Sequence, residues 1–186
     1  MSRLVARIGR RFLPIARNNK GSTAVEFGLV AIPFFACFFA IIEIGLVFFA
    51  GQVLETAVGD AGRLILTGQA QSFQLADFKN KVCSTAVQTL FNCNNIQVDV
   101  RKASSFASAD LTMPLNPSTN KLDTSGFGYS ATSPCDIVIV RVIYEWPTFV
   151  RGLGLDLASA ASTTNKHILM SSAAFRNEPY VGTGFC

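Results

Sequence analysis

Residues that carry chemistry are scarce in this sequence. It holds a single histidine, His167, and contains no H-E-x-x-H, no G-x-S-x-G, no glycine-rich phosphate loop after a strand and no C-x-x-C. The sequence therefore offers no motif for a zinc protease, a serine hydrolase, a nucleotide-binding enzyme or a thiol exchanger. Carboxylate pairs such as Asp156 with Glu178 lack a spacing that marks acid and base work, and acidic residues on the predicted strands read as solvated faces. A zinc site is the competing reading of the cysteines, but no C-x₂₋₄-C pair exists and only His167 could assist. Acidic residues are also missing from the start of the chain, where none precedes Glu26. Six of the sixteen basic residues lie in the first twenty positions, leaving ten basic against twelve acidic residues beyond them. The net charge of +4 is thus a property of one end and gives no nucleic-acid footprint. The expectation is a chain that is not an enzyme, with no cofactor, no metal and no nucleic-acid partner.

What the sequence does have is one long apolar run. From Phe27 to Ala50 the only charge is Glu43, and a helix of that length exceeds a hydrocarbon core of about 30 Å. The basic segment before it, with Arg3, Arg7, Arg10, Arg11, Arg17 and Lys20, holds the N-terminus in the cytoplasm by the positive-inside rule. Leu4, Val5, Ile8, Phe12 and Ile15 lie among those arginines at roughly helical spacing, which suits an anionic inner leaflet. The apolar run is longer than the ~7 to 15 residues of a signal-peptide h-region, and no A-x-A-like site follows it. A plain signal-anchor remains the stronger competitor. Pro33 is expected to kink or loosen the helix, and Glu43, about 25 Å along an ideal helix from Glu26, to snorkel at the far interface or pair with another subunit's helix. Cys37 reads as a small hydrophobe in lipid.

After Ala50 the pattern becomes amphipathic, with Val53, Ala57, Ala61, Leu64 and Leu66 among Glu55, Asp60 and Arg63, and Gly68 as terminator. A second helix is expected over 72–91, capped by Ser72, with Leu75, Phe78, Val82, Ala86 and Leu90 at spacings of three and four. The alternating run 96–101 and the β-branched and aromatic run 137–146 read as strands, with a third near 166–175. The Ser-, Pro-, Asn- and Gly-rich stretch 104–134 reads as an exposed variable loop and a candidate contact surface. The domain organisation expected is a basic cytoplasmic leader at 1–21, a transmembrane helix at 22–50 and an exported domain at 51–186. That domain divides into a helix continuation at 51–68, a helix at 72–91, and strands and loops over 96–176. The fold class is α+β, a long N-terminal transmembrane and amphipathic helix packed on a small antiparallel sheet.

The junction Lys20-Gly21-Ser22-Thr23-Ala24-Val25-Glu26-Phe27 resembles the type IV prepilin class, in its Flp/Tad branch. With DAGRLILTGQA after the span, a cysteine near the end of the second helix, the strand CDIVIVRVIYEWP and the final FRNEPY, the chain resembles TadE-like proteins, pilin-like minor components of the tight-adherence pilus machinery. The resemblance implies cutting by a prepilin peptidase between Gly21 and Ser22 and makes Glu26 the fifth mature residue. Ser22 departs from the Phe usual in type IVa pilins. Partners implied are the prepilin peptidase, other pilin-like subunits, the pilus assembly platform and membrane lipid. The location implied is the bacterial inner membrane as a single-pass protein, with the C-terminal domain periplasmic, or the extracellular pilus, and the role implied is pilus biogenesis and surface adhesion.

Cleavage at Gly21 would create an ammonium four residues from the Glu26 carboxylate, which is costly at the start of a lipid-buried helix unless paired. Within one helix Glu26 approaches the positive end of the dipole, and between subunits it meets the Ser22 amine of a neighbour. The second contact would set axial register, with Phe27 beginning the apolar helix beside it. The competing reading makes Glu26 an interfacial carboxylate on an uncleaved single-span envelope protein whose exported domain binds a partner or ligand.

Four cysteines beyond the span, Cys83, Cys93, Cys135 and Cys186, form an even set in a compartment expected to be oxidising and read as two disulfides. Three pairings are open. Antiparallel order of the last two strands favours Cys135 with Cys186, and hence Cys83 with Cys93. On a continuous helix the latter two would stand about 15 Å apart, so that pairing requires the helix to end before Cys93.

Overall fold

A computed structural model describes residues 21–83, 85–149, 156–179 and 186. Of the basic leader expected over 1–21, residues 1–20 lie outside the described residues. The chain divides into two compact units, 1–42 and 43–186.

Helix α1 runs Ser22–Leu66 and remains helical through Pro33. Gly68 then takes a left-handed conformation (φ 77°), and its N–H donates to the Ile65 carbonyl while Ala70 N–H donates to Leu64, so a glycine permitted in this region closes the helix. Where periodicity suggests one helix over 72–91, there are two: α2 at Leu75–Val82 and α3 at Thr85–Leu90. The N-cap of α2 is Gln74, two residues past Ser72, because Asp77 reaches back to accept the Gln74 backbone N–H at 2.9 Å. The break at Cys83 and a short 3₁₀ turn, Cys93–Asn95, bring the two ends of this segment together.

Strands β1 (Gln97–Ala103), β2 (Ile137–Trp146) and β3 (His167–Arg176) form an antiparallel sheet of three strands in the order β1-β2-β3. Val98, Val100, Val138, Val140, Val142, Tyr144, Trp146 and Leu169 face a core shared with α1, α2 and α3. From α1 this core takes Val47, Ala50, Leu54, Ala57, Val58, Ala61 and Ile65, recurring every three or four residues as one stripe of a helix must. Fully burying side chains such as Leu54 and Ile65 contributes roughly 1.5–3 kcal/mol each. At Gly62 α1 and β3 approach closely, since a Cβ there would lie 3.2 Å from the ring of Phe175.

The opposite face of the sheet is also covered. Ile137, Ile139, Arg141 and Ile143 are buried there, and the stretch 104–134 lies against them with its outer surface exposed. Gly128 and Ser130 in this stretch bond the backbone of Val100, closing the edge of β1 at that point, and Leu122 N–H bonds Ala161. The expectation that acidic residues on strands are solvated fails at Asp99, which is fully buried. Asp99 stands directly across from Arg141, whose Nη2 donates to its Oδ2 at 2.7 Å. Arg101 Nε and Gly128 N–H donate to the other oxygen, and Phe127 lies over the Arg141 guanidinium. The ion pair is tolerated because covering chain supplies these extra partners.

Candidate assembly surface

Helix α1 begins at Ser22, immediately after Gly21, and a Cβ on Gly21 would meet nothing within 4 Å. One turn on, Glu26 is exposed, and its Oε1 accepts the Ser22 hydroxyl at 2.9 Å, an i to i+4 contact along one helix face. Ser22 and Glu26 are thereby on one side of the first turn. Phe27 follows at 70 % exposure, and Leu29, Val30, Ile32, Phe34, Phe35, Phe38, Phe39 and Ile41 are exposed after it. The most apolar 18-residue window of α1 has a mean hydropathy of 2.4 with only 17 % of it buried, so this is no core helix of an ordinary domain. It is a candidate membrane span.

Glu43 departs from expectation. Rather than snorkelling, its side chain is 3 % exposed and accepts the backbone N–H of Phe149, just past the end of β2. A carboxylate near the end of an apolar run was legible, but its partner lies over a hundred residues on and has no local signal. Cys37 is a free, exposed thiol.

The remaining cysteines join Cys83 to Cys93 and Cys135 to Cys186, with Cα atoms 6.0 and 5.4 Å apart. The second link sits beside a knot of backbone bonds that gives the Arg176-Asn177-Glu178 segment a physical role. Asn177 N–H donates to Asp136, its side-chain amide donates to the Ser133 carbonyl, and Glu178 N–H donates to Leu66 at the C-terminus of α1. The segment thus ties β3, the turn before β2 and the end of α1 together. Tyr144 and Trp146 are core residues, while Glu145 accepts the Ser162 hydroxyl at 2.8 Å.

Charges elsewhere are local. Burial alone would raise the Asp136 carboxyl, but the hydrogen bond from Lys102 and the Ser133 N–H outweigh it and hold its pKa below the ordinary carboxylate value. Asp110 is lowered by the hydroxyl and N–H of Thr112, and Asp123 by the hydroxyl and N–H of Ser125. Among the described residues no group of three or more His, Cys, Asp or Glu is placed to hold a metal.

These features define an α+β protein carried on a long N-terminal helix whose early part is a candidate membrane span. The family model described as TadE-like protein matches residues 21–63, from the junction glycine through the amphipathic part of α1, and that segment is similar to the family. The family is associated with assembly of the tight-adherence pilus. No curated protein and no solved structure matches the chain.

Proposed function

We propose that this chain is a pilin-like minor subunit of the tight-adherence (Flp) pilus machinery, anchored in the bacterial inner membrane and assembled through α1. A prepilin peptidase cuts between Gly21 and Ser22, the domain from residue 51 lies in the periplasm, and the mature subunit contributes to pilus biogenesis and surface adhesion. The observation that carries the reading is that the TadE-like match over residues 21–63 takes in both the junction at Gly21 and the part of α1, from Val25 onward, dominated by exposed apolar side chains.

In this reading the new Ser22 ammonium replaces the Ser22 hydroxyl as the group facing Glu26. Two opposite charges then share one membrane depth, within a subunit or between neighbours, and set axial register. Pro33 lets the helix flex during transfer from the bilayer, and the two disulfides hold the exported domain in an oxidising compartment. Glu26→Ala tests the assembly role in the native host. The variant should be processed like the parent yet be depleted from complexes with other pilin-like subunits; equal recovery in those complexes would remove the register role.

A further inference from the structure

Exposed apolar surface is not confined to the early part of α1. Phe149, in the loop after β2, is 71 % exposed, yet its backbone N–H is held by the buried Glu43 carboxylate. The tether fixes Phe149 alongside α1 at the level of residue 43. Beyond that level α1 still exposes Ile44, Leu46, Phe48 and Phe49, with Phe48 at 72 %, before Gln52 and Glu55 begin its polar surface. From Glu43 to Phe49 an ideal helix rises about 9 Å. The exposed apolar surface of α1 therefore extends roughly that far past the level of the loop. An environment that covers Phe48 and Phe49 must also reach Phe149.

We infer that Phe149 is a second membrane contact, its ring seated at the boundary between headgroups and acyl chains beside α1. The occupant is lipid rather than a second copy of the chain. At about 100° per residue, Ile44, Leu46, Phe48 and Phe49 point to widely different sides of the helix, whereas a protein neighbour would require a single stripe. A backbone N–H already satisfied by a carboxylate also removes one cost of taking this loop out of water. The inference rests on reading α1 as a membrane span.

The test uses the full chain in phosphatidylcholine and phosphatidylglycerol vesicles with Cys37→Ser, so that an introduced cysteine takes an environment-sensitive fluorophore while the other four remain in disulfides. Labels replace Phe149, Phe35 in the apolar run, or Phe106, which is exposed after the end of β1 opposite that loop. Lipids carrying a nitroxide near the headgroup should quench the label at 149, lipids carrying it near the chain end should quench the label at 35, and neither should quench the label at 106. Quenching at 35 with none at 149 would overturn the inference and leave the span reading standing. Quenching at neither would overturn both. A blue shift at 149 that vanishes as protein is diluted into excess lipid would assign the surface to a second copy and also overturn the inference.

Discussion

The two stretches of α1 make the most instructive comparison in the molecule. In the first, up to Ile42, large apolar side chains stand exposed in several directions; in the second, Leu54, Val58, Ala61 and Ile65 form a buried stripe while Gln52, Glu55, Thr56 and Arg63 occupy the other face. One unbroken helix is therefore written for two surroundings, and its composition changes where its surroundings change. The sheet repeats the lesson across its thickness. Its α1 face is an aliphatic and aromatic core, whereas its other face buries Asp99 with Arg141 under a loop rich in small polar residues.

The sharpest break in the second contrast comes from Asp99→Ala. It leaves Arg141 buried without its carboxylate and should cost about 3–5 kcal/mol, read by denaturant unfolding of the full chain in detergent. Asp99→Leu combined with Arg141→Met should recover most of that loss, since a packed apolar pair replaces the ions. A double variant no better than the single one would mean that the covering loop depends on the charges themselves.

Leu54→Ala against Phe34→Ala probes the helix comparison directly. The first opens a cavity in the shared core and should cost about 2–5 kcal/mol, while the second should leave the domain's unfolding within about 0.5 kcal/mol of the parent. Equal losses would erase the division of α1 into two functions. Replacing Cys83 and Cys93 by serine should cost roughly 2–3 kcal/mol from the released short loop, measured the same way.

The smallest effect is the response to acid. Asp136, Asp110 and Asp123 all have folded-state pKa values below their unfolded ones, so their contribution is present above the unfolded value and fades as pH falls toward the folded one. Stability should decline modestly below about pH 4, and Asp136→Asn should flatten part of that decline in a pH series of melting curves. A series that leaves the slope unchanged would show that Lys102 does not hold Asp136 ionised.

How much of this was legible in the chain differs by element. The apolar run, the amphipathic continuation to Gly68 and the strand 137–146 declare themselves through composition and period, because burial on one face leaves a local pattern. The cover over the second sheet face was harder to read. Its signal was the near-continuous run IVIVRVIY in β2, which belongs to a strand buried on both faces, with Arg141 inside it and Asp99 in β1 as the exceptions. The exposed loop expected over 104–134 does present its outer side to solvent, but its inner side carries hydrogen bonds that no local pattern encodes. Glu43 illustrates the same limit, since its acceptance of the Phe149 N–H depends on how β2 ends beside α1. The split of the 72–91 helix at Cys83 was hidden for a different reason: the apolar spacing continues through the break.

The junction is where sequence and mechanism meet most directly, and its test is chemical. N-terminal sequencing and intact mass of the protein isolated from membranes of its native host, beside a Gly21→Ala variant, should give a terminus at Ser22 in the parent and loss of that terminus in the variant. A parent that retains Met1 or Ser2 while the host's prepilin peptidase is active would contradict processing and make this chain an uncleaved anchor.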